Sequence, residues 1–145
     1  MGDRMSVDTG VIDSNTHRRV ERVYFEHTDF SGVVYHARYL DFLEHGRTDY
    51  VRMLGVHHGA LERDGLAFAV HRMEIDFRGA ARIDDVLIVE TDRGTLKGPR
   101  LSFAQRIVRD GTVILEARVT VVLVNPQGRP RRFPPALLER LAPRS

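Results

Sequence analysis

The feature that most constrains the fold is one long helical stripe, which is followed by a series of strand-like runs. Between Tyr35 and Leu54 the apolar residues recur at steps of three and four, which predicts an amphipathic helix. Gly46 lies inside this stripe, where glycine costs about 1 kcal/mol relative to alanine, so we expect a sheet to approach the helix closely there. Gly55 follows the stripe and predicts the C-terminal end of the helix.

Four strand-like runs come after the helix. The first, "AFAVHRMEIDFR", changes its alternation partway along, which predicts a β-bulge near His71 and Arg72. The second, "DVLIVETDR", is continuously apolar from Val86 to Val89, as is typical of a central strand. The third and fourth, "LSFAQRIVR" and "TVILEARVTVVLV", are joined by Asp-Gly at residues 110–111, which predicts a two-residue hairpin turn. In the fourth run we expect six side chains on one face: Val113, Leu115, Ala117, Val119, Val121 and Leu123.

The two ends of the chain are less regular. Residues 20–27 mix apolar and charged positions and are interpreted as the first strand. Residues 1–19, rich in Asp, Gly, Ser, Asn and Arg, are interpreted as a flexible N-terminal tail. Two prolines precede a short helix that we expect at residues 136–141. The sequence thus predicts one domain that extends from residue 20 to residue 145.

Taken together, these elements predict an α+β fold in which a five-stranded antiparallel sheet wraps around one long central helix. The long outer strands of such a sheet carry unpaired backbone groups, which favour pairing with a second copy of the chain. We therefore expect a homodimer.

Composition and charge exclude several classes of protein. The 145 residues are 42% hydrophobic, which suits one domain with a core. No apolar run is long enough to cross a membrane, and the N-terminus lacks the apolar segment of a signal peptide, so we expect a cytoplasmic protein. The absence of cysteine excludes disulfides and thiol catalysis. The net charge is only +2 and the arginines are interspersed with acids, which argues against a nucleic-acid partner.

A polar segment, "TDFSG", carries Asp29 between the first strand and the helix. Such an aspartate commonly forms an Asx-turn that satisfies its own backbone. The alternative is chemical, because the first N–H groups of a helix lack intrahelical partners and lie at its positive end. A carbonyl directed at the N–H groups near Tyr35 and His36 would be polarised, and Asp29 would reach its carbon or an adjacent water. Asp29 would then act as a nucleophile or as a general base, and the residues alone leave both roles open.

The same region resembles a known family. "VYFEHTDFSGVVYHARYLDFLEHGRTDYVRMLG", with "AFAVHRMEIDFRGAARIDDVL" after it, is similar to the hotdog-fold acyl-CoA thioesterases of the 4-hydroxybenzoyl-CoA thioesterase family. Within that family it is most similar to the Tol–Pal-associated acyl-CoA thioesterase branch. The agreement runs without gaps from Tyr24 to Arg47 and continues more weakly to Val124. The motif is specific for the family but not for the substrate.

The resemblance implies roles for four residues around the turn. Asp29 matches the family's catalytic aspartate, and Gly32 matches the glycine that lets the chain turn into the helix. The backbone N–H of His36 corresponds to the family's oxyanion donor. Tyr35 stands where the 4-hydroxybenzoyl-specific members carry other bulky residues, so we expect Tyr35 and Gly32 at the substrate and a different acyl group.

The resemblance also implies how the substrate is held. Members of the family are homodimers or tetramers, with the acyl group in a tunnel at the dimer interface and coenzyme A along the surface. Basic residues hold the coenzyme A phosphates, often in a turn between two strands. Lys97 and Arg100 in "TLKGPRLSF" lie in such a predicted turn and are the candidates here, although basic turns are commonly only solvated.

Two other arrangements compete with this assignment. A second hotdog branch carries its catalytic carboxylate on the central helix, where Glu44 is the second-choice carboxylate, although Arg47 would simply pair with it. His27, Asp29 and His36 resemble a metal-binding set in composition, but their spacing does not favour a metal and we expect none.

The sequence therefore predicts an enzyme that hydrolyses a thioester to a free acid and a thiol, without a cofactor beyond the coenzyme A of its substrate. The substrate is expected to be an acyl-CoA with a short-chain or aromatic acyl group, or an acyl carrier protein thioester. The alternative is a non-catalytic module that binds acyl-CoA or acyl carrier protein. His57 and His58 are predicted to be a solvated loop pair.

Overall fold

The computed structural model describes residues 10–13 and 15–142, in which a six-stranded antiparallel sheet packs against one long helix. The sheet has the order β1-β2-β4-β5-β6-β3, so β1 and β3 form its edges. The strands are β1 (Val11–Asp13), β2 (Thr16–Arg22), β3 (Ala67–Phe77), β4 (Val86–Lys97), β5 (Arg100–Arg109) and β6 (Thr112–Val124). The helices are α1 (Arg38–Met53), α2 (His58–Arg63) and α3 (Pro135–Leu141), and Phe25–His27 form a short 3-10 turn.

The start of the sheet differs from the prediction of five strands preceded by a tail. Both β1 and most of β2 lie within residues 1–19, and of the predicted first strand only residues 20–22 belong to a strand. The reason is electrostatic, because β2 joins β4 through cross-strand polar pairs such as Arg18 Nε to Glu90 Oε2 at 3.0 Å. Such long-range pairs leave no hydrophobic alternation in the sequence. The rest of the predicted tail, residues 1–9 and 14, lies outside the described residues.

Helix α1 packs against the sheet at the point where Gly46 was expected to permit close approach. A Cβ atom at Gly46 would lie 2.8 Å from Val89 Cγ1 and 2.9 Å from Thr91 Oγ1, so the prediction is confirmed. The helix ends at Leu54 and Gly55, where Gly55 has a φ of 91° that favours glycine. Among the described residues, no helix combines the length and the apolar content that crossing a membrane requires.

The local predictions for β3, β5 and β6 are confirmed with one correction. The register of β3 against β6 shifts between Val70 and Arg72, as expected for a bulge. The turn at residues 110–111 has positive φ at both positions, which is the geometry of a two-residue hairpin. The unbroken alternation predicted from Val113 is wrong at its start, because Ile114 forms a second bulge opposite β5 and is buried.

The two short helices complete the fold. α3 begins at Pro135, one residue before the predicted start. α2 was predicted as a loop, and that prediction is wrong because Leu61 packs into the core and fixes a helical turn. A helical hydrogen bond supports this turn, because the Leu61 N–H donates to the carbonyl oxygen of His57 at 3.1 Å.

Candidate active site

The segment between β2 and α1 folds into a small hairpin. Thr28 and Val34 form an antiparallel bridge, and the Asp29 N–H donates to the Val33 carbonyl oxygen at 2.9 Å. The tip closes when the Gly32 N–H donates to the Asp29 carbonyl oxygen at 3.0 Å. Gly32 has a φ of 85°, which explains why glycine suits this position. The hairpin thus carries Asp29 on one arm and, beyond Tyr35, the start of α1 on the other.

A neighbouring loop, residues 78–85, holds this hairpin from one side. The Val34 N–H donates to the Ala81 carbonyl oxygen at 2.9 Å, and Ala81 N–H donates to the Tyr39 hydroxyl of α1 at 2.9 Å. Val33 and Arg82 form a further bridge. Because Val34, Tyr39 and Ala81 are all buried, the hairpin is fixed to the core and to the first turn of α1.

The carboxylate of Asp29 is held by one of its two oxygens. Oδ1 accepts hydrogen bonds from the Ser31 hydroxyl at 2.5 Å and the Ser31 N–H at 2.8 Å, with a longer contact of 3.4 Å from the Val33 N–H. The Ser31 hydroxyl is the largest cause that lowers the pKa of Asp29, and the Ser31 N–H follows. The Asx-turn therefore exists, while Oδ2 takes part in none of these three bonds and the side chain is exposed.

The start of α1 offers backbone donors. Among the residues that the structure describes, the His36 N–H donates to no acceptor, whereas the Arg38 N–H already donates to the Tyr35 carbonyl oxygen at 2.8 Å. His36 precedes Ala37, the N-cap residue of the 16-residue helix α1, so its N–H lies just before the positive end of the helix, where a free donor can bind an oxyanion. The side chains of Tyr35 and His36 are exposed, and their rings are tilted by 39° with centroids 4.5 Å apart. The centroid of the His36 ring lies 6.4 Å from that of Phe77.

The second-choice carboxylate lies elsewhere on α1. Glu44 accepts a hydrogen bond from the Thr48 hydroxyl and lines a cavity of about 170 Å³. Neither Asp29 nor His36 lines this cavity, so the structure does not bring the two candidate carboxylates together within one chain. The remaining lining residues are Arg47, Thr48, Val51, His58, Phe68, Val70, Phe103 and Val121.

The expected pairing of Arg47 with Glu44 is wrong. Arg47 is buried, and its Nη1 donates instead to Gln105 Oε1 at 3.0 Å. Gln105 Nε2 in turn donates to the Thr91 hydroxyl and to the Leu43 carbonyl oxygen, both at 2.9 Å. Burial lowers the pKa of the Arg47 guanidinium, and the charge of Glu44 partly opposes this. Sequence reasoning missed this group, although Gln105 is the polar residue in the inward alternation of "LSFAQRIV" and was the available signal.

The predicted basic residues lie at the opposite end of the sheet from Asp29. Lys97 and Arg100 are exposed and face each other across the β4–β5 turn, as expected. Arg109, at the other end of β5, donates to the carbonyl oxygen of Ala80 in the loop beside the hairpin. At about 3.3 Å per residue, the ten residues of β5 separate the two ends by roughly 30 Å. One chain therefore does not bring Lys97 and Arg100 to Asp29.

Two expectations about histidines remain, one for the pair at residues 57–58 and one for the set of His27, Asp29 and His36. His58 is the first residue of α2, so the prediction of a loop is wrong for this residue, although both histidines are exposed as expected. The ring centroid of His58 lies 5.8 Å from that of Phe68. Burial lowers the pKa of His58, while Glu44 raises it and Arg52 lowers it further. Within residues 10–13 and 15–142, no three His, Cys, Asp or Glu side chains are gathered in a way that could hold a metal ion.

Comparison with known proteins gives three consistent relationships. The family model for the thioesterase-like superfamily matches residues 23–141. The acyl-CoA thioesterase YbgC of Haemophilus influenzae is 46% identical over 105 residues, which cover 72% of this chain and 77% of that protein. The acyl-CoA thioester hydrolase YbgC of Escherichia coli is 40% identical over 119 residues, covering 81% and 89%. A probable thioesterase from Bartonella henselae, of known crystal structure, superposes with a TM-score of 0.78 at 41% identity, covering 82% of this chain and 99% of that one.

Proposed function

The chain belongs to the thioesterase-like superfamily of hotdog-fold proteins, and from this premise we propose that it hydrolyses acyl-CoA thioesters to the free acid and coenzyme A. One observation carries the proposal. The hairpin between β2 and α1 holds an exposed carboxylate with a lowered pKa, Asp29, on the arm opposite a helix start whose His36 N–H has no acceptor among the described residues. These are the two groups that acyl transfer from a thioester requires.

In this proposal the thioester carbonyl oxygen accepts a hydrogen bond from the His36 N–H. When a nucleophile adds to the carbonyl carbon, negative charge develops on that oxygen, and the positive end of α1 stabilises it. Collapse of the tetrahedral intermediate breaks the carbon–sulfur bond and releases the coenzyme A thiolate. Only the backbone of His36 is needed for this step, so its side chain need not react.

Asp29 supplies the negative group in either of two ways. As a general base it takes a proton from water while the water oxygen adds to the carbonyl carbon, and the proton then passes to the departing thiolate, which restores the carboxylate. As a nucleophile it forms a mixed anhydride and expels the thiolate, and water then cleaves the anhydride to the acid and restores Asp29. Both routes need an ionised carboxylate, which the hydrogen bonds from Ser31 support.

The binding of coenzyme A calls for a second copy of the chain. Strand β3 is an edge strand of eleven residues with the exposed apolar side chains Val70 and Phe77, which suits pairing with another β3. Antiparallel pairing of two β3 strands brings the end of one protomer that carries Lys97 and Arg100 beside the end of its partner that carries the hairpin. We propose that these cations then hold the coenzyme A phosphates, and that Tyr35 and Gly32 contact the substrate near the thioester.

The central test is the substitution Asp29→Asn, which keeps the size of the side chain but removes its charge. We expect kcat/KM to fall by at least roughly 100-fold, as for loss of a general base, with an unchanged melting temperature and dimer. Thiol release from short, long and aromatic acyl-CoA substrates, and from an acyl carrier protein thioester, reveals the preferred acyl group. Full activity of the variant on the best substrate would contradict the assignment.

The Asx-turn favours a second candidate function, because it gives Asp29 a purely structural use. In that case the protein binds acyl-CoA or acyl carrier protein without cleaving either. Binding of acyl-CoA by calorimetry, together with no thiol release above background across the substrate panel, would identify such a module. The cytoplasmic location remains a prediction under both functions.

A further inference from the structure

Ser31 makes a contact with Asp29 whose effect on the two carboxylate oxygens goes beyond keeping the group ionised. Its hydroxyl and its N–H both donate to Oδ1 of Asp29, at 2.5 and 2.8 Å. Ser31 is exposed and has no part in the buried core, so packing does not explain the residue. An alanine at this position would keep the N–H bond of the Asx-turn and would lose only the bond from the hydroxyl.

The two bonds distinguish the oxygens of the carboxylate. An oxygen that accepts two short hydrogen bonds is held in place and is a weaker base and nucleophile than its neighbour. Rotation of the Asp29 carboxylate would break both bonds at once, so the exchange of Oδ1 and Oδ2 is opposed. While both bonds hold, Oδ1 is occupied and Oδ2 is the oxygen that lies outside them.

We propose that Ser31 is a positioning residue for the hydrolysis: its hydroxyl fixes Oδ1 of Asp29, so that Oδ2 is the oxygen that meets the thioester carbon or the attacking water. This inference rests on the proposed function, in which Asp29 acts on the substrate. A positioned reactive group is worth a large rate factor, since a displacement of about 1 Å can cost roughly 100-fold.

The same hydroxyl controls the protonation of Asp29. Its hydrogen bond is the largest cause that lowers the pKa of Asp29, so the carboxylate stays ionised, and the enzyme active, to lower pH than an ordinary aspartate would allow. Removing the hydroxyl raises the pKa and moves the acidic limb of the pH–rate profile to higher pH. The elements next to Asp29 carry other titratable or charged groups, and these are the same in wild type and in a Ser31 variant, so the difference between the two profiles reports on Ser31. They are Glu26 and His27 in the 3-10 turn, Tyr35 and His36 before α1, Arg38 and Asp41 in its first turn, and Arg78, Arg82, Asp84 and Asp85 in the loop 78–85.

The experiment compares Ser31→Ala with Ser31→Thr, which keeps a hydroxyl, over the pH range of the enzyme. For Ser31→Ala we expect the plateau of kcat/KM to fall roughly tenfold, the acidic limb to move to higher pH, and the melting temperature to stay unchanged. Ser31→Thr should restore both the plateau and the limb towards wild type. Thr120→Val removes a hydroxyl from β6, away from the hairpin, and should leave the profile unchanged.

Each other outcome has a defined meaning. A wild-type plateau and limb in Ser31→Ala would overturn the positioning role while leaving the proposed function intact, provided that Asp29→Asn is inactive. Equal loss in Ser31→Ala and Ser31→Thr would assign a steric role and would also overturn it. Full activity of Asp29→Asn would remove the proposed function and this inference with it.

Discussion

Helix α1 is held in different ways at its start and at its middle. At its start, exposed polar groups meet in the hairpin of Asp29 and Ser31, where the bonds from Ser31 go to one carboxylate oxygen and the other takes no part in them. At its middle, Arg47 and Gln105 are buried against the sheet and bond to each other. The polar groups at the start are therefore accessible to solvent, whereas those at the middle are enclosed between the helix and the sheet. The charge of a residue does not by itself reveal which of these uses applies.

The largest effect on stability is expected from Gln105→Leu, which alters the buried polar group at the middle of α1. This change leaves the buried Arg47 guanidinium and the Thr91 hydroxyl without their bonds to Gln105, which should lower the free energy of unfolding by about 3 kcal/mol. Denaturant unfolding measures the loss. Gln127→Leu, in an exposed turn, is the control and should change stability little. A stability equal to wild type in Gln105→Leu would mean that the buried bonds contribute nothing.

A smaller effect is expected where the helix approaches the sheet. Gly46→Ala improves helix propensity by about 1 kcal/mol, but the new methyl group would lie 2.8 Å from Val89 Cγ1. Because overpacking costs about 1–3 kcal/mol, we expect a net loss of about 1 kcal/mol. The matched control is Gly59→Ala in α2, where the nearest atom, Arg63 Nη1, lies 3.9 Å away. A thermal melt should show Gly59→Ala as neutral or stabilising, and a stabilised Gly46→Ala would refute the close approach.

The smallest effect is expected from Glu44→Gln, which tests the division between the two regions directly. The change removes a charge but keeps a side chain that can accept from the Thr48 hydroxyl. If Glu44 only shapes the cavity, kcat/KM should change by less than about threefold, which corresponds to less than roughly 0.7 kcal/mol. A loss comparable to that of Asp29→Asn would instead make Glu44 the catalytic carboxylate.

Local signals in the sequence predicted much of this structure. The stripe of α1, the bulge in β3 and the turn at residues 110–111 all follow from short-range periodicity and turn chemistry. The turn that carries Asp29 was predicted in the same way. The pairing of β2 with β4 was missed because it depends on ion pairs such as Arg18 with Glu90, which are 72 positions apart. Helix α2 was missed because a six-residue helix depends on tertiary packing more than on its own pattern.

The site was predicted less completely than the fold, for a physical reason. Asp29 and the His36 N–H belong to one continuous segment, so a motif could identify them together. The bond from Ser31 to Asp29 depends on the rotamer of each side chain, and the bond of Arg47 with Gln105 joins two distant elements. Neither hydrogen bond can be inferred from the spacing of residues along the sequence. The sequence therefore indicates which polar groups are present, while the structure shows which of their atoms take part in hydrogen bonds.

The position of β3 at the edge of the sheet has a consequence for how the activity can diverge. In the antiparallel pair proposed above, one inherited change in β3 is present twice and alters the fit of both protomers at the same time. A single substitution in β3 would then change the substrate preference of both sites of the dimer. We expect relatives of this protein to differ most in the residues of β3 at the proposed dimer contact, and least in the turn that carries Asp29.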